Sequence, residues 1–288
     1  MTDLQKVILN IFKDVSAVCE KYHIKYYAIG GTCLGAIRHK GFIPWDDDLD
    51  IAIPVQQFPD FIEAIGSEFP DRYEIVTAAN DDQYANTFIK VVDKNTTFIE
   101  EKYYNYPDSY TGVWLDVMPL AGIPKGNLKS KIYLSRLRWL HVAEYNMKLN
   151  IDQIDELKPL KKIAWYLFYY RKLIRPSGYF IEKQYRLMSR YLLNESTYTG
   201  YLWSQRRKEV IFPVSILGNG TKMPFENIEI VCPDNYHLFL TTLFGDYMVI
   251  PENHDQDLHH GFIDLKTPYL KYQNRELNGN LQIDQNGD

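Results

Sequence analysis

Between Ala28 and Ile53 the chain reads AIGGTCLGAIRHKGFIPWDDDLDIAI, placing the Gly30-Gly31 pair seventeen positions ahead of an Asp48-Leu49-Asp50 triplet. Leu49, Ile51 and Ile53 alternate as strand residues do, so the triplet is expected on a strand with both carboxylates, at i and i+2, on one side. Hard oxygen ligands sharing a face favour Mg²⁺ or Mn²⁺ over zinc. Upstream, Lys25 to Ile29 reads as a short strand ending at the glycines. Thr32 is then expected to cap a brief helix through Cys33 to Ile37, aiming its first N–H groups at whatever lies beside the glycine pair. Glycines that admit an anion to the backbone, followed by paired carboxylates, suit a metal-complexed nucleoside phosphate.

The rest of the chain narrows the setting. Its 288 residues, 45% hydrophobic and 24% charged, describe a globular protein rather than a disordered one. Tyrosine is abundant at 23 residues, as befits either core edges or surfaces that grip sugars and lipid headgroups. Cys19, Cys33 and Cys232 are widely spaced with no CxxC pair, which argues against a disulfide framework or zinc site and for a reducing compartment. Asp3, Lys6 and Lys13 interrupt the N-terminal apolar pattern, so no signal peptide is read there. No run approaches the ~18 consecutive apolar residues of a spanning helix. A cytoplasmic protein, at most attached to the inner face of a membrane, is expected.

Periodicity divides the chain. Leu4, Val7, Ile8, Ile11, Phe12, Val15 and Val18 mark an amphipathic helix over residues 3 to about 22. A helix from Phe58 to Ile65 and strands at 73–77, 87–92 and 111–117 follow, so residues 1–126 read as an α/β or α+β core. Pro119 and Gly122 to Gly126 are taken to break the pattern and close this region. Residues 127–208 read as a helical, basic and aromatic subdomain. Lys125 to Lys208 holds 18 Lys/Arg against 6 Asp/Glu, a local balance of +12 that leaves −17 for the remainder of a chain whose net charge is −5. Within it, residues 161–174 place basic residues around an aromatic-aliphatic block, expected either in a membrane interface or as a buried helix. Residues 209–273 return to the core, with a hairpin bend at Phe225 to Ile228 and a helix from Tyr236 to Phe244 capped by Asp234 and stopped by Gly245. Residues 274–288 form a polar tail expected to be disordered.

Other chemistries fit the acidic run poorly. Asp46, Asp48 and Asp50 match the first ligands of an EF-hand loop, but Ile51 stands where that loop needs glycine and Gln57 where it needs glutamate. No G-x-x-x-x-G-K-[ST] or G-x-G-x-x-G occurs. A bare DxD of the glycosyltransferase kind would leave the glycine pair unassigned. His254, His259 and His260 lack a Cys or Glu at zinc spacing. A hydrophobic residue, Gly-Gly, a spacer, Asp-x-Asp and a third carboxylate on a neighbouring strand make the pattern of DNA polymerase beta-like nucleotidyltransferases, with Asp116 of Trp114-Leu115-Asp116-Val117 the candidate third acid. An unpaired carboxylate in so apolar a strand would be costly, so a metal or polar partner is expected.

Ala36 to Asp50, AIRHKGFIPWDDDLD, closely resembles the signature of the LicD family, which includes fukutin-type proteins. The resemblance extends to Phe88 to Thr97, Trp114 to Pro119 and Leu243 to Tyr247, covering roughly residues 20–125 and 205–262. It implies an α+β fold with a mixed β-sheet, flanking helices and a mainly helical basic insertion. It also implies transfer of phosphocholine from CDP-choline, or another phosphoalcohol such as ribitol phosphate from a related CDP-alcohol, to a hydroxyl of an anionic or lipid-linked glycan such as teichoic acid or lipopolysaccharide, with no nucleic-acid partner. Asp48 and Asp50 would hold Mg²⁺ or Mn²⁺, and Asp116 would complete that site or receive the acceptor's proton. Gly30, Gly31 and Thr32 would contact phosphate, with Arg38, His39 and Lys40 adding positive charge. Lys90 would join them, unless it is a strand-edge lysine in solvent. A nucleotidyltransferase that leaves a nucleotide on a small molecule or protein, and a binding protein that keeps the fold without the reaction, remain alternatives.

Overall fold

A computed structural model describes residues 1–104, 106, 108–148, 174–201, 211–250 and 261–272. Residues 149–173, the three histidines at 254, 259 and 260, and the 274–288 tail therefore lie outside the described residues. The fold is α+β, built on a mixed seven-stranded sheet.

Helix α1 (Asp3–Lys21) starts in a capping box, Thr2 and Gln5 each bonding the other's backbone, and buries Ile8, Ile11, Phe12 and Val15. It is followed by β1 (Tyr27–Ala28), α2 (Gly30–Arg38), β2 (Asp50–Pro54), α3 (Phe58–Glu68), β3 (Tyr73–Val76), β4 (Ile89–Asp93) and β5 (Thr97–Glu100). Next come β6 (Trp114–Ile123), α4 (Asn127–Lys148), α5 (Tyr179–Met188), β7 (Tyr198–Tyr201) and β8 (Ile211–Pro213). The described chain ends with β9 (Thr221–Phe225), β10 (Ile228–Cys232), α6 (Tyr236–Phe244) and β11 (Gly261–Asp264). The sheet runs β1-β2-β6-β4-β3, with β2 and β6 parallel and the other pairs antiparallel, and β7 carries β8 at the far end of β6.

Every residue of β6 is buried, and this strand organises the molecule. Trp114 to Val117 pair with β4, whereas Leu120 to Ile123 pair with β7. Pro119 stands between these two partners, where its missing N–H interrupts neither ladder, so the strand passes through the position that the sequence marks as a breaker. Gly122 allows close approach: a Cβ there would stand 2.3 Å from Ser196 Oγ and 2.7 Å from the Tyr191 carbonyl oxygen. A second, smaller core joins Ala121 and Ile123 of β6 to Tyr133, Leu137 and Leu140 of α4 and to Phe180, Leu187 and Met188 of α5.

The β9-β10 hairpin turns at Glu226, whose φ is +55°. Helix α6 is capped by Asn235, whose side chain accepts from the Leu238 N–H, rather than by Asp234. The Asp234 carboxylate instead accepts from the Asn219 N–H and the Thr221 hydroxyl, closing the loop before β9.

Candidate active site

Strand register assembles the charged centre. Asp50 opens β2 opposite Asp116 on β6, and Asp116 is in turn opposite Lys90 on β4. In-register neighbours on adjacent strands point to the same face, so Asp50, Asp116 and Lys90 form one row across the middle of the sheet. Leu49, Ile51, Ala52 and Ile53 around Asp50 are fully buried, which fixes this register against a one-residue slip. Asp48 lies just before the strand, in the irregular segment that leads into it, so the two carboxylates are not the i and i+2 residues of one strand.

The glycine pair lies beside the acids, as the sequence pattern requires. Gly30 has φ +51°, a left-handed conformation that disfavours any side chain, and a Cβ there would stand 3.6 Å from Asp50 Oδ2. A Cβ on Gly31 would stand only 2.8 Å from Asp46 Oδ2. Helix α2 begins at Gly30 with Ile29 at its cap position, so Thr32 is inside the first turn rather than capping it. The Thr32 hydroxyl accepts from the Asp50 N–H at 2.8 Å, and the Ile29 N–H donates to the Asp50 carbonyl at 3.2 Å. These bonds tie the turn to the first residue of β2.

Asp46, marked in the sequence by the failed EF-hand pattern, belongs to this centre. Its backbone carbonyl accepts from Nε2 of Gln5, a buried side chain on α1, at 2.8 Å, while its carboxyl hydrogen-bonds Asp48. Burial first, and then the charge of Asp48, push the Asp46 carboxyl up to about 8. Asp50 is also held well above the usual carboxylate range, by burial and by Asp48, Asp116 and Asp46, with Lys90 opposing. The Asp-Asp-Asp run was the available signal, since a third acid two residues before Asp48 reaches the same neighbourhood once the segment is irregular.

Lys90 is buried, which rules out a solvent-facing edge lysine. Its Nζ lies 3.9 Å from Asp116 Oδ1, 4.0 Å from Glu100 Oε2 and 3.4 Å from the centre of the Trp114 ring. Burial lowers its pKa, and the carboxylates of Asp116 and Glu100 act against that shift. Trp114 Nε1 donates to Asp116 Oδ2 at 3.3 Å, so the indole both carries the ammonium on its face and fixes the acid with its edge. A crevice of about 10 Å³ touches Lys90, Glu100, Tyr84, Tyr103 and Trp114, on the order of one water. Glu100 carries no local sequence mark and Trp114 only its place beside Asp116; the pairing of β4 with β6 and the turn into β5 bring them to Lys90.

The basic loop is differently employed. Arg38 ends α2, about 10 Å along the helix from Gly31, and donates to the carbonyls of Tyr247 at 2.9 Å and Val249 at 3.4 Å. Its Nε also donates to His39 Nε2, and His39 meets the Trp45 ring edge-on at 6.0 Å. Lys40 is exposed, with φ +59°. The structure thus brings Gly30, Gly31, Thr32, Asp46, Asp48, Asp50, Asp116 and Lys90 together, and sets Arg38, His39 and Lys40 at the other end of α2. A cavity of about 400 Å³ lined by Ile123, Lys125, Leu134, Tyr198 and Ile211 lies ~23 Å along β6 from Asp116 and is separate from this centre.

The acids fit a hard divalent cation by donor chemistry. Asp46 and Asp50, held above the ordinary carboxylate range by burial and by their acidic neighbours, are groups that a cation would hold ionised, and all four acids offer oxygen. Among the described residues no three His, Cys, Asp or Glu side chains already stand at coordinating positions. The Asp46 to Asp48 hydrogen bond and the Lys90 ion pair hold the charges in their place.

The family described as LicD/FKTN/FKRP, nucleotidyltransferase domain, matches residues 23–163. Over 275 residues the chain is 29% identical to the lipopolysaccharide cholinephosphotransferase LicD of Haemophilus influenzae, spanning 90% of this chain and 96% of that protein. Uncharacterised proteins of Rickettsia prowazekii and Rickettsia typhi are each 50% identical over 46 residues, 16% of this chain and 17% and 15% of theirs.

Proposed function

We propose, because the chain belongs to the LicD family, that it transfers phosphocholine from CDP-choline, or a related phosphoalcohol from its CDP ester, to a hydroxyl of a cell-surface glycan. The observation that carries this reading is the row of Asp50, Asp116 and Lys90 across three strands, with Gly30 and Gly31 against its acidic end. The Haemophilus relative, a lipopolysaccharide cholinephosphotransferase, supports lipopolysaccharide as the acceptor class, with teichoic acid as the variant.

In the reaction, the acceptor oxygen bonds to the phosphorus that bears choline, the bond from that phosphorus to the bridging oxygen of the donor breaks, and CMP departs with the electron pair. The first-turn N–H groups of α2 receive a phosphate oxygen, because glycines leave the backbone open there. Asp48 and Asp50, with Asp46 beside them, would hold Mg²⁺ or Mn²⁺ against the donor diphosphate. When bound, the cation supplies charge that stabilises the departing phosphate. Lys90, fixed by Trp114 and Glu100, adds positive charge from the opposite side of Asp116. Asp116 would complete the ligand set or take the hydroxyl proton. Arg38 acts at a distance, by fastening the segment around Tyr247 to the end of α2.

Incubating the protein with Mg²⁺, a panel of CDP-alcohols and lipopolysaccharide or teichoic acid tests the proposal, with mass spectrometry of the glycan and detection of CMP. A phosphocholine increment with CMP release is expected, and Asp48→Asn or Asp50→Asn should slow it at least ~10²-fold. Release of pyrophosphate with a nucleotide left on the acceptor would instead assign a nucleotidyltransferase. Near-normal turnover of either variant, folded by circular dichroism, would remove that acid from the site.

A further inference from the structure

Helix α4 buries one side and exposes a stripe of unusual composition next to it. Tyr133, Leu137, Leu140 and Met147 face the second core. At 3.6 residues per turn, Leu128, Ile132 and Trp139 fall within about 40° of one another, roughly a third of a turn around the helix from that buried side. They are 72%, 59% and 50% exposed. Lys131 and Arg138 flank this stripe on one side, Lys129 and Arg136 on the other, and all four are exposed. From Lys125 the first acidic residue is Glu144, and it is fully buried. Large apolar side chains ordinarily do not stay in water along three turns of a helix whose inward face already has its core.

We propose that this outward face of α4 docks the protein on an anionic lipid bilayer. An apolar stripe between two rows of Lys and Arg is the arrangement of a helix lying in the interface: the apolar side chains enter the acyl boundary while the cations meet lipid phosphates. The sign of the charge selects the occupant. A second copy of the chain would set two rows of cations against each other, whereas a negatively charged lipid surface complements both. No described helix is long and apolar enough to cross a membrane, so the contact is one of lying on the surface. The surface uses none of the acidic residues, and it stands whether or not the reaction proposed above is correct.

Flotation of the full chain with phosphatidylglycerol-containing vesicles, against vesicles of phosphatidylcholine alone, reads the contact directly. The protein should rise with the anionic vesicles only, and less so as salt is added. Each cation replaced should weaken binding about fivefold, so Lys129→Glu, Lys131→Glu, Arg136→Glu and Arg138→Glu together should abolish it. Leu128→Ser with Ile132→Ser should cost at least roughly tenfold. Trp139 meets Phe180 edge-on, so Trp139→Phe keeps an aromatic there; fluorescence quenching by brominated lipid should fall in that variant while binding persists. Wild-type protein left at the bottom of the gradient, equal binding to neutral vesicles, or unchanged flotation of the charge variant would overturn the proposal. So would a dimer in sedimentation velocity that Leu128→Ser with Ile132→Ser dissolves while no vesicle is bound, since the face would then belong to a second copy.

Discussion

Replacing Asp46 with Asn should make the metal-free protein more stable, increasingly so as the pH rises. Burial and Asp48 push the Asp46 carboxyl up to about 8 from the ordinary 3.8, so the folded protein keeps a proton that the unfolded chain releases. The associated stability is complete below the unfolded value and is lost as pH rises toward the folded one. At 1.36 kcal/mol per pH unit, the interval from the unfolded value to neutrality corresponds to about 4 kcal/mol, a ceiling reduced by any water that enters the half-buried loop. An asparagine amide matches the neutral acid in shape, still donates toward Asp48 and does not titrate. Thermal melts of both proteins in chelator, from about pH 4 to pH 8, should therefore start close together and separate in favour of Asp46→Asn. At about 2–4 °C per kcal/mol the gap could reach on the order of 10 °C. Added Mg²⁺ should close it by raising the wild type, since a cation among the carboxylates does the work of the proton. Parallel melting curves across that range, or a wild type that gains on the variant as pH rises, would refute the placement of a repelled acid at this position.

Three further outcomes concern the scaffold. Glu144 is fully buried on α4 and accepts from the N–H groups of Gly178 at 2.7 Å and Phe180 at 3.0 Å, at the start of α5; Glu144→Ala should cost about 3–5 kcal/mol in denaturant unfolding, and a loss below about 1 kcal/mol would contradict that role. A Cβ on Gly35 would stand 2.5 Å from the Gly41 carbonyl oxygen, whereas one on Gly66 in α3 meets nothing within 4 Å. Gly35→Ala should therefore destabilise by about 1–3 kcal/mol, and Gly66→Ala should stabilise by up to about 1 kcal/mol, as read from unfolding midpoints.

Local signals in the sequence corresponded to real elements where neighbours along the chain decide the outcome. The apolar period from Leu4 to Val18 became α1, the glycine pair opened α2, and the bend after Phe225 became a hairpin with Glu226 in a left-handed conformation. The α+β class followed from the same alternation. Positions decided by distant partners were harder to read. Thr32 resembles a cap from its neighbours, yet the N–H it accepts from belongs to Asp50. Pro119 looks like a breaker, yet it stands where β6 changes partner from β4 to β7. Lys90 reads equally well as a surface residue, and only its register with Asp116 places its ammonium over Trp114.

The fifteen residues from Ala36 to Asp50 divide into two parts with opposite energetics. Up to Phe42, contacts hold the loop in shape: His39 and Gly41 N–H groups return to the Gly35 carbonyl, Glu226 accepts from the Phe42 N–H at 3.1 Å and donates its own N–H to the Lys40 carbonyl at 2.8 Å, and Arg38 grips the carbonyls of Tyr247 and Val249. Substitutions there should lower stability, and any loss of turnover should accompany it. From Asp46 to Asp50 the acidic side chains repel one another in a partly dry setting, and neutralising Asp46 or Asp50 relieves a cost of folding. Neutral replacement of Asp46 or Asp50 there should lower turnover while stability rises. Nothing in the packing of β2 requires that repulsion, because Ile51, Ala52 and Ile53 already fix the strand. Clustered charge that burdens the fold is explained by a ligand that removes the burden on binding, and the sign of the stability change therefore separates the part that builds this loop from the part that works in it.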